Sequence, residues 1–121
     1  MPYLNDEIFD QGLDYATTNG TRIDICSSEP ATYAAVAGVS LGNKTSATVG
    51  ATEDGDSNGR KVVVAAVTDG SVTGTGTATH YAITDAASIL VATGALSASQ
   101  AVTSGNTFTL AAFDLAIADA T

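Results

Sequence analysis

Only 26 of the 121 residues are Leu, Ile, Val or Phe, while 22 are Ala, and this ratio limits the chain to folds with a thin core. A domain of this length can bury about two-thirds of its unfolded surface. Large aliphatic and Phe side chains at about a fifth of the chain lie just above the level at which chains stay disordered. The core is therefore lean, or is completed by contact with other subunits. The 18 Thr, 12 Gly and 10 Ser, set against 2 Pro and no Trp, favour strands and tight turns.

Hydrophobic spacing predicts one helix, over residues 4–18. Leu4, Ile8, Leu13 and Ala16 recur near helical spacing, Asn5 caps the start, and Asp6 and Glu7 suit the positive end of the helix dipole. Asn19-Gly20 stops it, since both residues tolerate a left-handed backbone. From Thr21 the period becomes two. Thr21–Cys26 predicts a strand with Ile23 and Ile25 on the core face and Arg22 and Asp24 on the other.

Residues 31–40 fit a short helix or an extended loop, 44–49 a short strand, and 51–59 an insertion loop. Beyond Arg60, strands are expected over 61–67, ended by Asp69-Gly70, then over 71–79, 80–84, 88–96 and 107–117, with an edge strand over 97–103. The expected fold is mainly β: one domain, an antiparallel β-sandwich or barrel-like sheet over 21–117, with one short N-terminal helix and an arm over 1–5.

Charge excludes several functions. The formal net charge is −9, and Arg22, Lys44, Arg60 and Lys61 are the four basic residues, so none follows position 61. Such a surface repels a phosphate backbone and an anionic membrane, so neither nucleic acid nor membrane is an expected partner. The single Cys26 excludes an internal disulfide, and the first residues lack the basic and apolar regions of a secretory signal. The expectation is a soluble protein made in a cytosol.

Few residues carry chemistry. His80 stands in a strand-like run, and Asp85, at a turn five residues on, does not make a triad with it. Cys26 ends an alternating strand and reads as a small hydrophobe. Asp54, Asp56 and Asn58 match the first, third and fifth ligand positions of a calcium loop, with Gly59 at the sixth. The expected bidentate Glu falls on Ala65, inside a β-branched run, so this is half a motif and a weak metal candidate. Asn19-Gly20-Thr21 and Asn43-Lys44-Thr45 fit the glycosylation pattern by chance composition. No catalytic group and no cofactor are expected. Terminal segments can order on a neighbour, and Tyr3, Leu4, Ile8 and Phe9 are the candidate partner-docking residues.

The chain resembles a family of small virion structural proteins of tailed bacteriophages. The resemblance is carried by Asn19-Gly-Thr-Arg-Ile-Asp-Ile-Cys-Ser-Ser-Glu-Pro30, Asn58-Gly-Arg-Lys-Val-Val-Val64 and Thr77-Ala-Thr-His-Tyr-Ala-Ile-Thr-Asp85. It continues through Ser88-Ile-Leu-Val-Ala-Thr-Gly-Ala-Leu96 to Ser104-Gly-Asn-Thr-Phe-Thr-Leu110, and is weakest over 31–57. It implies a β-sandwich-like body present in many copies, with no enzymatic activity. The implied role is a capsid decoration (cement) protein on the outside of the head, or a small tail, tail-tip or fibre-associated protein. The implied partners are the major capsid protein and copies of the chain itself, or tail proteins.

Overall fold

The computed structural model describes residues 5–56 and 59–117. Helix α1 (Asp6–Asn19) is followed by β1 (Arg22–Cys26), helix α2 (Tyr33–Val39), β2 (Ser40–Lys44) and the two-residue β3 (Glu53–Asp54). Then come β4 (Arg60–Val64), β5 (Val67–Val72), β6 (Gly76–Thr84), β7 (Leu90–Val102), β8 (Thr107–Leu110) and β9 (Phe113–Ile117). The fold is mainly β, a curled, barrel-like antiparallel sheet with an N-terminal helix. Six strands run in the order β7-β6-β1-β2-β5-β8, and a three-stranded sheet runs β3-β4-β9.

The start of α1 forms as expected: Asn5 Oδ1 accepts from Glu7 N–H (2.8 Å), with Asp6 and Glu7 in the first turn. The end differs. Gly20 has φ −77°, not a left-handed conformation, and closes the helix by donating its N–H to Ala16 O. Phe9, Leu13 and Ala16 are buried. Arg60 fixes the helix to β4, its Nε donating to Asp10 Oδ1 (2.8 Å).

Leu13 and Ala16 join Ile23, Ile25, Val62, Val64, Val67, Val72, Ile83, Phe108 and Leu110 in one core. Burying a side chain of this size contributes about 1.5–3 kcal/mol. A smaller cluster, Cys26, Val36 and Ala82, lies under α2. Residues 31–40 thus supply a second helix, capped by Thr32 Oγ1 accepting from Ala35 N–H.

Several strand boundaries differ from the spacing-based expectation. The second strand covers Ser40–Lys44, and beyond it only Val49 makes an isolated bridge, to Val64. Asp69-Gly70 lies inside β5, at a bulge opposite β8, and does not form a turn. Residues 88–103 form one strand, Leu90–Val102, because β6 is long enough to pair along all of it. Residues 107–117 form two strands, since Ala111 and Ala112 carry the chain from one sheet to the other.

Candidate functional site

The residues with catalytic potential do not converge. His80 Nδ1 lies 2.9 Å from Thr79 Oγ1, which donates its own proton to Ser27 O (2.9 Å), so the imidazole N–H is the donor to Thr79. Asp85 is engaged elsewhere: its Oδ1 accepts from the N–H groups of Ala87, Ser88 and Ile89 at 2.8–2.9 Å. These bonds hold its carboxyl below the usual carboxylate range. Cys26 is fully buried, and burial, reinforced by the nearby Asp24 charge, pushes its thiol up to about 12.

The acidic loop is occupied by cations of the chain itself. Asp54 pairs with Arg60 Nη1, and Asp56 Oδ1 lies 2.6 Å from Lys61 Nζ, which holds the Asp56 carboxyl below its ordinary range. Lys61 also lies 3.2 Å from Asp114 and 3.6 Å from Glu53, so one ammonium serves three carboxylates and its own proton is held more tightly. Asn58, the third candidate ligand, is outside the described residues. Among the described residues no group of three or more His, Cys, Asp or Glu is placed to hold a metal ion.

Spacing missed a buried charge. The alternation of β1 places Asp24 on a polar face, yet the residue is 0% exposed. Helix α2 covers that face. Asp24 accepts from Arg22 Nε (2.8 Å), Arg22 Nη2 (3.0 Å) and Ser40 Oγ (2.7 Å), which satisfies both carboxylate oxygens. The signal was Cys26, an apolar residue two positions on and therefore on the same face. A small cavity of about 170 Å³ beside the pair is lined by Tyr33, Val36 and Thr84.

The docking candidates separate. Tyr3 and Leu4 lie outside the described residues. Phe9 is 3% exposed and packs inward, whereas Ile8 is 57% exposed. One helical turn and then another beyond Ile8, Gly12 and Tyr15 continue the same stripe of α1. Tyr15 (45% exposed), Ile89 (43%) and Ile117 (36%) border an open groove of about 410 Å³ between α1, the start of β7, and β9. A second groove of about 340 Å³ continues along β7, between Ala95–Gln100 and Leu110–Asp114. At that groove the rings of Tyr81 and Phe113 pack with centroids 4.4 Å apart. No described helix is long and apolar enough to cross a membrane.

No protein-family model matches the chain, and no curated protein or solved structure matches it.

Proposed function

We propose that this chain is an assembly protein that binds other protein subunits, and that it serves as a capsid decoration protein on the outer surface of a tailed-bacteriophage head. The observation that carries the binding role is the apolar groove bordered by Tyr15, Ile89 and Ile117, with Ile8 further along the same helix stripe. Large apolar side chains gathered around one concavity are the usual mark of a surface that another protein covers. The resemblance of residues 19–30, 58–64, 77–85 and 88–110 to small phage virion proteins supports a virion partner, with the capsid lattice as the lead and the tail as the alternative. The net charge of −9 suits the outside of a particle better than a surface lining packaged DNA. A protein that binds the assembled lattice and not its free subunits stabilises the lattice by mass action.

The test uses heads assembled without this chain. Added purified chain is expected to bind saturably, to raise the temperature at which the heads rupture, and to lose both effects in a Tyr15→Ser, Ile117→Ser variant. Virions are expected to carry it in numbers comparable to the major capsid protein. A few copies per particle, labelled at the tail, would transfer the reading to a tail, tail-tip or fibre-associated protein. Mature virions that lack the chain, or a substrate turned over by the purified protein, would overturn the reading.

A further inference from the structure

β7 and the β8–β9 stretch are consecutive and run antiparallel, as in a hairpin, yet among the described residues no ladder joins them. The connecting turn explains this. Ser104 donates its N–H to Thr75 Oγ1 (3.1 Å) and its Oγ to Thr73 O (3.2 Å), and Gly105 N–H donates to Val72 O (2.9 Å). These bonds tie the turn to the β5–β6 connection, and β8 pairs with β5 instead. Across the resulting seam the Gln100 side chain reaches over, its Nε2 donating to Thr109 O at 2.9 Å. That bond is made by a side chain and not by the main-chain pairing of strands ~4.8 Å apart.

Both lips of the seam are incomplete. On β7, Ala95 faces His80 and Gln100 faces Ala78, so the four residues Leu96–Ser99 stand opposite Thr79 alone. The edge of β7 away from β6 carries no described ladder. On the other lip, Leu110–Asp114 pass from one sheet to the next, and the edge of β9 away from β4 carries no described ladder. Between the lips is the groove walled by Tyr81, Leu96 and Phe113.

We propose that this seam is a slot for one extended peptide segment of a different protein, apolar at alternate positions and bearing Lys or Arg, which completes the barrel by strand addition. Main-chain bonds to the unpaired lips supply affinity, and side chains alternating into the groove supply selectivity. The lips run antiparallel to each other, so the guest strand lies antiparallel to one and parallel to the other. Charge decides against a second copy as the occupant. Asp114 lines the groove and shares Lys61 with Glu53 and Asp56, and the whole chain carries −9. Another copy brings like charge to that rim, whereas a basic segment complements it. The proposal holds for the isolated chain and does not depend on the virion reading.

The whole chain is titrated with three blocked peptides of about eight residues, long enough to span the groove. One alternates Val and Lys, one alternates Val and Glu, and the third is the Val-Lys peptide N-methylated at alternate residues. The Val-Lys peptide is expected to bind at least about tenfold more tightly than the Val-Glu peptide, and less tightly as salt is raised. N-methylation is expected to weaken binding by removing ladder donors. Amide exchange is expected to slow at Leu96–Gln100 and Leu110–Asp114. Ser97→Pro, on the exposed bulge, is expected to weaken binding without shifting the thermal midpoint. Failure of the Val-Lys peptide to bind, equal affinity for the acidic peptide, or binding untouched by N-methylation overturns the proposal. Exchange that slows in the seam with rising protein concentration alone also overturns it, by making a second copy the occupant.

Discussion

Phe108 lies directly across the β5–β8 ladder from Gly70, and its ring covers the glycine so closely that a Cβ there would collide with Cε1 and Cζ. The same arrangement recurs in the β6–β7 ladder, where Tyr81 faces Gly94 and a Cβ would lie 2.7 Å from the phenol oxygen. A chain short of large aliphatic residues thus extends its core by laying an aromatic ring over bare backbone. Each glycine is the space its cross-strand partner fills.

Gly70→Ala is accordingly expected to destabilise the protein by roughly 2–3 kcal/mol, the cost of overpacking a fixed ring. Phe108→Leu in the Gly70→Ala background is expected to recover part of that loss. Urea unfolding of the two variants checks both statements. A Gly70→Ala protein as stable as the parent would show that the ring moves freely.

Removing the buried carboxylate leaves the Arg22 guanidinium and the Ser40 hydroxyl without their acceptor beneath α2. Asp24→Ala is expected to cost roughly 2 kcal/mol, a figure reduced because Arg22 is partly solvated. Arg22→Leu strands the carboxylate in turn. The double variant should therefore lose less than the sum of the two, with a coupling above about 0.5 kcal/mol in a double-mutant cycle. Strict additivity would mean that the pair contributes nothing.

A thiol pushed up to about 12 is almost wholly protonated near neutrality, and Cys26 is fully buried as well. The folded protein is expected to resist an aromatic disulfide reagent at pH 8, while the urea-unfolded chain reacts at once. Labelling should follow the rate of global opening. Rapid labelling of the native state would place Cys26 in a segment that opens locally.

The three N–H groups around Asp85 hold its carboxyl below the ordinary carboxylate range, which fixes the sign of a pH effect. A depressed folded pKa adds stability that is fully present above the unfolded value, about 3.9, and is lost as pH falls through the folded value. Asp85→Asn keeps an oxygen acceptor but removes the charge. The variant is expected to be less stable than the parent at pH 7, with the difference closing as the pH drops below about 4. Thermal unfolding across that range reads it, and a difference that widens on acidification would refute the assignment.

The elements that could be read from the sequence were those specified by local chemistry. Asn5 with Asp6 and Glu7 announces the start of α1, the Ile23–Ile25 alternation announces β1, and Ser104-Gly105-Asn106 announces the turn before β8. What escaped depends on residues distant in the chain. Gly70 reads as a turn residue because its reason, Phe108, lies 38 positions later. Asp24 reads as solvated because the helix that covers it is a stretch of Ala and Val without strong periodicity. Of the candidate surface, Ile8 was visible as an apolar residue on a helix. The seam was not, since it arises from where the turn at 103–106 is anchored and leaves no pattern in β7 or β8 themselves.

The strand order also governs how fast this protein forms and comes apart. β1 with β6, β2 with β5, β5 with β8 and β4 with β9 all join segments far apart in the chain, Ile23 meeting Ile83 and Val62 meeting Leu115. Distant segments must be brought together at an entropic cost before any contact compensates for it, which places refolding in the slow range of milliseconds to seconds. Contacts made only after that barrier slow the reverse journey as well. While those distant partners are still searching for one another the strand edges stand open, and that interval is when copies of the chain are most exposed to wrong association.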